Sequence, residues 1–400
     1  MTRVAVIGGG ITGVTTAYAL ARRGIAVTLL EQHRYAAMET SFANGGQLSA
    51  SHAEAWNHKA TLINALKWMA RRDAPLLLHP HPTWHKLSWF AQFLAAMPHY
   101  ERNTVATARM AIAARAHLFA WAEEEGIDFD HRRAGILHVY RERASFERAA
   151  GVSQLLARAG LVRRAVTPDD MRAIEPTLAG KFYGGYYTDS DSTGDIHKFT
   201  SGLADACVRR GVDCRYGHNV TSLTREEGRV RVVSEGDSSV FDAVVICAGA
   251  ASRQLAAMLG DRVNVYPVKG YSITVHLDDA ASRAGAPSVS LLDDATKLVS
   301  SRLGEDRLRV AGTAEFNGMN RDIRADRIAP LLHWVEQHFP GVNTRRVIPW
   351  AGLRPMLPAM LPRVGPGRAP GVFYNTGHGH LGWTLAAATA EMVAGLVAPV

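Results

Sequence analysis

No stretch of eighteen uninterrupted apolar residues occurs in the sequence, so a spanning helix is not expected. The best candidate, Leu381 to Val397, is interrupted by Thr384, Thr389 and Glu391. Cysteine is scarce. Cys207, Cys214 and Cys247 form neither a C-x-x-C pair nor an even set, which argues against a disulfide framework or a zinc site and for a reducing compartment. Runs of one charge are also missing. The 45 Lys plus Arg outweigh 37 Asp plus Glu for a net charge of +8, but they come in ones and twos, as in Arg22-Arg23, Arg71-Arg72 and Arg345-Arg346. A nucleic-acid-binding arm is therefore not expected, and the surplus points to anionic small molecules or a membrane surface. With 47% hydrophobic and 20% charged residues, the composition excludes a disordered chain, and no repeat period is present. The 400 residues provide for two or three units with one sizeable core.

What is present begins at the first residues. Met1 to Leu20 has the charge and apolar stretch of a signal peptide, but another pattern explains it better. Arg3-Val4-Ala5-Val6-Ile7 is a β-branched run ending on Gly8-Gly9-Gly10-Ile11-Thr12-Gly13. Helical apolar spacing follows through Val14, Ala17, Tyr18 and Leu20, and a second strand, Ile25 to Leu30, ends on Glu31 and Gln32. This is a dinucleotide-binding βαβ unit. Gly8 permits the tight turn, Gly10 a close approach to pyrophosphate, and Gly13 the packing of helix on strand. The free N–H groups from Ile11 and Thr12 onward face the phosphates. Glu31 is placed to accept from ribose hydroxyls, which disfavours a 2′-phosphate.

Residues from about 100 to 126 read as one long helix. Strands are expected at 133–140, 182–187, 213–216, 220–224 and 230–234, and Thr193 to Phe199 reads as a loop leading into a helix that runs to Gly211. Val244 to Ala250 is a continuous apolar run that delivers Ala248 and Gly249 to a ligand at its C-terminal end. Antiparallel strands are expected at 268–276, 298–302 and 308–312. Near the end, Val372-Phe373-Tyr374 leads through a glycine-dense turn into a helix from Trp383. Four of the eight tryptophans fall between Trp56 and Trp89, and the stretches 62–72 and 84–94 each combine an apolar face with cations. Such helices lie in a bilayer interface or pack on the protein's own core, and both alternatives stay open.

Several motifs then agree. The opening βαβ, Glu39-Thr40-Ser41-Phe42-Ala43-Asn44-Gly45-Gly46-Gln47, Pro267-Val268-Lys269-Gly270-Tyr271, Gly352-Leu353-Arg354-Pro355-Met356 and Asn375-Thr376-Gly377-His378-Gly379-x-Leu381-Gly382-Trp383-Thr384 resemble the D-amino acid oxidase family of flavoproteins. The likeness extends over nearly the full chain and is strongest to the bacterial branch, the D-amino acid dehydrogenases. It implies FAD and an α/β fold in which a Rossmann-like FAD-binding domain is interleaved with an antiparallel-sheet substrate domain. The expected division is 1–60, 191–262 and 346–400 for FAD, and 61–190 with 263–345 for substrate, including a helical insertion at about 61–126.

By the same resemblance, Gly8, Gly10 and Gly13 hold the pyrophosphate and Glu31 the ribose, while Val220 touches adenine. Thr40, Ser41, Asn44, Gly45, Gly46 and Gln47 run past the flavin. Gly377, His378, Gly379, Leu381, Gly382, Trp383 and Thr384 approach its pyrimidine end, where the helix dipole favours negative charge. Arg354 is the expected carboxylate clamp, because a planar guanidinium offers two parallel donors that Lys cannot copy. Its alternative role is a salt bridge bracing the domains. Tyr271 either joins the clamp, lines the pocket or packs in a sheet, and Lys297 is a further candidate cation. His52 faces the ring or the substrate side chain, or is structural. Two departures stand out: after Arg354-Pro355 the run Leu357-Pro358-Ala359-Met360-Leu361-Pro362 lacks the Asp-Gly pair usual in the family before its next proline, and His52 stands where the dehydrogenase branch has tyrosine. The second implies a different side-chain pocket.

The implied reaction is hydride transfer from the α-carbon of a D-amino acid to flavin N5, giving a 2-oxo acid and ammonia. Electrons then pass to a quinone or another carrier. A D-proline or D-hydroxyproline dehydrogenase, a glycine- or sarcosine-type oxidase, and a non-catalytic nucleotide-binding subunit are the alternatives. The expected location is the cytoplasm, with peripheral contact at the inner face of the cytoplasmic membrane left open.

Overall fold

The run Arg3–Ile7 is apolar on both faces, which suits a strand covered on both sides, and it takes a central place in a six-stranded sheet. In the computed structural model, which describes residues 2–58, 61 and 75–398, the order is Arg363–Pro366, Val372–Thr376, Ala243–Ile246, Arg3–Ile7, Ala26–Glu31 and Asp213–Tyr216. Neighbours are parallel except for the edge strand Arg363–Pro366. Side chains alternate across this sheet as its period of two requires. Val4 and Val6 face the helices Ile11–Ala21, Ile196–Arg209 and Gly382–Val397, in one core with Val14, Tyr18, Leu203 and Ala386. Ala5 and Ile7 face the other way, into a core with Leu223, Val232, Phe241 and Leu255. That core is closed by the antiparallel strands Val220–Glu226, Arg229–Ser234 and Asp237–Phe241 and by the helix Ser252–Met258.

The second sheet has nine strands and is mostly antiparallel. Its order is Val347–Met356, Tyr266–His276, Arg307–Phe316, Leu298–Leu303, Ser290–Asp293, Ile136–Tyr140, Gly184–Thr188 and Arg164–Val166, with Leu76–Leu78 joined to the end of Arg307–Phe316. The helix Ala325–His338 covers one face, where Leu331, Trp334 and Val335 meet Tyr271, Ile273, Val275 and Val310. The opposite face, carrying Gly270, Ser272 and Ala311, borders a cavity shared with the parallel sheet.

Pairing between Tyr266–His276 and Arg307–Phe316 slips between Lys269 and Tyr271, which face Glu315 and Gly312. The extra residues include Thr313, whose φ of 57° is unusual for a β-branched residue.

Two segments depart from the expected division. Val347–Met356, assigned by sequence to the FAD-binding unit, pairs along its length with Tyr266–His276 and is therefore part of the second sheet. The long helix Tyr100–Glu124, assigned to the substrate unit, sends Ala114, Leu118 and Trp121 into the core beneath the parallel sheet, with Trp121 edge-on to Tyr18 at 5.2 Å.

Of the two amphipathic stretches, 62–72 lies outside the described residues. The other forms the helix Trp84–Ala95, which buries Trp89 and Phe93 on the protein's own core. Its one lysine, Lys86, is buried and donates to the carbonyls of His79 and His81. Trp84, Leu87 and Leu94 remain 82%, 52% and 48% exposed on the outer side. No helix among the described residues is long and apolar enough to cross a membrane.

Candidate active site

One cavity of about 1230 Å³ runs from the glycine turn at Gly8 past Arg354 to the helix Arg143–Ala157. At its first end, backbone shape does most of the work. Gly8 has a φ of 110°, and a Cβ there would lie 2.7 Å from the Cys247 carbonyl oxygen. A Cβ on Gly13 would overlap the Gly8 carbonyl oxygen. Gly10 differs, since a Cβ would meet only the Ser41 hydroxyl, at 3.4 Å, and otherwise projects into open space. The helix starting at Ile11 has no side-chain cap on its first turn apart from Ser41, whose hydroxyl accepts from Ile11 N–H at 3.0 Å. The remaining donors face the cavity, as an anion site requires.

Glu31 is buried and accepts from the Gly9 and His33 amides at 2.5 and 2.8 Å. Burial pushes its pKa up, against the pull of those two amides. Gln32, Val220, Ala248 and Gly249 border the same end.

Further along, the Thr40 hydroxyl donates to the Leu353 carbonyl at 2.9 Å, and Asn44 Oδ1 accepts from Gly46 N–H at 2.9 Å. Gly45 packs against Val299, where a Cβ would come within 2.7 Å. The Gln47 amide donates to Ser290 Oγ and to the Leu291 carbonyl, tying this segment to the second sheet. Across the cavity, Gly377 and Gly379 take φ of 79° and 61° before the helix Gly382–Val397, whose start has no side-chain cap. His378 hydrogen-bonds Thr389 at 2.9 Å, and Thr384 accepts from Ser49 N–H at 3.3 Å. The Trp383 indole N–H and His378 Nδ1 are buried without partners. Gly13 and Gly46 do not border the cavity and act on it through packing alone.

Arg354 has an unusual setting. Its guanidinium donates to the backbone carbonyls of Thr313 at 2.7 Å and Gly312 at 3.4 Å. No carboxylate pairs with it among the described residues, which removes the bracing salt bridge as an alternative. Burial lowers its pKa to about 10, so it remains a cation at neutral pH. Gly270 makes room for it, because a Cβ there would strike the guanidinium.

His52 lies with its ring 4.9 Å from His380 and 6.3 Å from His138, and Trp56 stacks on His380 at 4.9 Å. Burial holds all three histidines neutral, with His380 lowered to about 4.

Tyr271 and Lys297 both border the cavity, and each already has a partner. The Tyr271 hydroxyl donates to Glu315 at 2.8 Å within the core under the helix Ala325–His338. Strand alternation gives the cavity side to Gly270 and Ser272. Lys297 pairs with Asp294 at 2.5 Å on a half-exposed turn, so its charge is already matched.

The sequence reading missed His138, Tyr140, Arg163 and His380 at the cavity, as well as Asp191 beneath it. Asp191 accepts from the Ala50 and Ser51 amides at 3.1 Å, from Ser49 Oγ at 3.2 Å and from Arg115, fixing the turn that carries His52. His380 stood in the open position of the final glycine motif. The others carry no local signal, because strand pairing brings them together.

A sequence profile described as FAD dependent oxidoreductase, abbreviated DAO, matches residues 3–396. The chain belongs to that family. The D-amino acid dehydrogenase 3 of Mesorhizobium japonicum is 60% identical to this flavoenzyme over 402 residues, covering 100% of this chain and 97% of the relative. The D-amino acid dehydrogenase of Paramagnetospirillum magneticum is 42% identical, with 99% and 94% covered. Among solved structures, L-proline dehydrogenase from P. horikoshii superposes with a TM-score of 0.79 at 16% identity, covering 99% of this chain and 93% of that one, a likeness of fold.

FAD is the cofactor of this oxidoreductase, and the residues present fit it. Gly10 leaves open the space where a Cβ would stand, and free helix amides face the cavity. The acid at the end of the second strand sits at the same end. A second uncapped helix start lines the middle of the cavity.

Proposed function

We propose that this flavoenzyme oxidises D-amino acids to 2-oxo acids and ammonia. The observation that carries the reading is Arg354, a half-buried cation that borders the cofactor cavity and holds no carboxylate of its own among the described residues. The names of the two dehydrogenase relatives support the substrate class. Gly8, Gly10, Ile11, Thr12 and Glu31 would hold the pyrophosphate and ribose of FAD, Val220, Ala248 and Gly249 its adenosine, and segments 40–47 and 377–384 its ring.

Bound FAD would supply the hydride acceptor for the α-hydrogen and its electron pair. Arg354 turns the substrate carboxylate with two parallel donors and so fixes which hydrogen faces that acceptor. The neutral histidines His52, His138 and His380 add no charge to repel a cationic iminium product. Water then releases the 2-oxo acid and ammonium. The two electrons leave to an external acceptor.

Anaerobic mixing of the FAD-loaded enzyme with D- and L-amino acids is the test. Loss of the yellow colour with D-isomers supports the reading, and bleaching by L-isomers or by neither overturns it. Faster reduction by cyclic than by linear D-amino acids places the enzyme with proline-type dehydrogenases instead. Arg354→Ala is expected to keep FAD and lose about 100- to 1000-fold in kcat/KM, the scale for removing one partner of a buried charge pair.

A quinone held in a membrane is the acceptor we favour. Trp84, Leu87 and Leu94 recur at i, i+3 and i+10 on the outer side of one helix, opposite Trp89 and Phe93. Flotation with lipid vesicles, lost in Trp84→Ser/Leu87→Ser, tests this contact. Full recovery in the lipid-free fraction for the unaltered enzyme overturns it.

A further inference from the structure

The cavity continues beyond His52 into a chamber bordered by Glu54, Tyr140, Arg148, Arg158 and Arg163. Arg163, like Arg354, lacks a carboxylate partner among the described residues. It donates to the Tyr140 hydroxyl at 3.2 Å and approaches His138 Nδ1 at 3.4 Å, and its plane lies over the Tyr186 ring at 4.9 Å. Its Nε is buried with no partner.

Glu54 and Asp294 border the same cavity, and neither pairs with Arg163. Glu54 accepts from the Tyr100 hydroxyl at 2.6 Å, and Asp294 takes Lys297. A guanidinium offers five donors, and those of Arg163 are met here only by neutral groups. We propose that Arg163 forms a second carboxylate site, so that the preferred substrates are D-amino acids with an acidic side chain. This deepens the reading above and rests on it, with Arg354 taking the α-carboxylate.

Three further features agree. Tyr140 accepts from Arg163, which leaves its own O–H free to donate to the same carboxylate. Burial pushes its pKa up to about 12, so the proton stays in place. The His52 ring lies 6.3 Å from His138, which Arg163 approaches, and His52, Arg163 and Arg354 all border the one cavity. Arg148 borders the same cavity without a carboxylate partner among the described residues and adds positive potential there, while Arg158 is paired with Glu101 at 3.0 Å.

The test uses FAD-loaded enzyme reduced anaerobically by D-glutamate, D-aspartate, D-glutamine, D-norvaline and D-lysine. The expected result is a kcat/KM for an acidic substrate about 10-fold or more above those for the amide, apolar and cationic chains. Arg163→Gln should remove about 10- to 100-fold from the acidic substrates and several-fold less from D-norvaline, with Arg163→Lys recovering part of the loss. Equal or better turnover of D-lysine or D-norvaline by the unaltered enzyme overturns the proposal, as does an equal loss for every substrate in the variant.

Where the variant fails to retain FAD, the unaltered holoenzyme decides. Glutarate should perturb the flavin absorbance at a concentration at least about 10-fold lower than valerate, and equal affinity overturns the site. If no D-amino acid bleaches the enzyme, the functional reading fails by itself, and the glutarate and valerate comparison still judges the second site.

Discussion

The two ends of the cavity are built by different means. At the nucleotide end the contacts come from consecutive backbone positions, Gly8 to Thr12, shaped by glycines where a Cβ would collide. At the substrate end the groups are side chains from distant segments: His52 on a short turn, His138 and Tyr140 on one strand, Arg163 ahead of another and Arg354 on a third. A binding surface made of local backbone fails as a unit when one atom is added. One made of convergent side chains loses its parts separately.

The largest break in that comparison comes at Gly13. Gly13→Val places its branched side chain against the Gly8 carbonyl, and the protein is expected to purify with little or no flavin, measured as flavin absorbance per protein. At the other end, Gly270→Val drives the Arg354 guanidinium from its place while leaving the nucleotide turn intact. Retained FAD with a loss of about 100-fold in kcat/KM is expected, since one clamp is displaced rather than a whole surface. Equal loss of FAD in both variants would break the contrast.

A smaller effect concerns pH. His380 and His378 are lowered by burial to about 4 and about 3, whereas in the unfolded chain each titrates near the ordinary histidine value. Between those values the unfolded chain binds more protons, so stability rises with pH through this window and is lost as the pH falls through the unfolded value near 6.5. The unfolding temperature should drop from pH 7 toward pH 4, and His380→Phe should flatten the slope. The smallest expected effect is that of Tyr271→Phe. Its hydroxyl serves Glu315 in the core, so kcat/KM should stay within about twofold while stability falls by about 1 to 2 kcal/mol in thermal unfolding.

The same contrast decides what could be read from the sequence. The nucleotide turn is legible because its signal is local: three glycines at fixed spacing between two apolar runs, with Glu31 after the second. The long helix, the strands after Arg209 and the final glycine turn were legible for the same reason. Arg354 came from its G-L-R-P setting, but the support it receives from Gly312 and Thr313 depends on pairing between strands some forty residues apart. The sidedness of Tyr271 was not legible, because a slipped register lies beside it and either face of an all-buried strand reads alike. Arg163 was invisible: Arg164 beside it is exposed on the same basic stretch, and only the placement of Tyr140 and Tyr186 separates them.

The left-handed Thr313 turns a strand irregularity into an anchor for the cation opposite. A guanidinium hung on peptide oxygens has no acidic neighbour that a single codon change can delete. It also arrives with its charge undiminished. Drift among the residues around it can therefore reshape the chamber for a new side chain while the hook for the common end of every amino acid stays where it is.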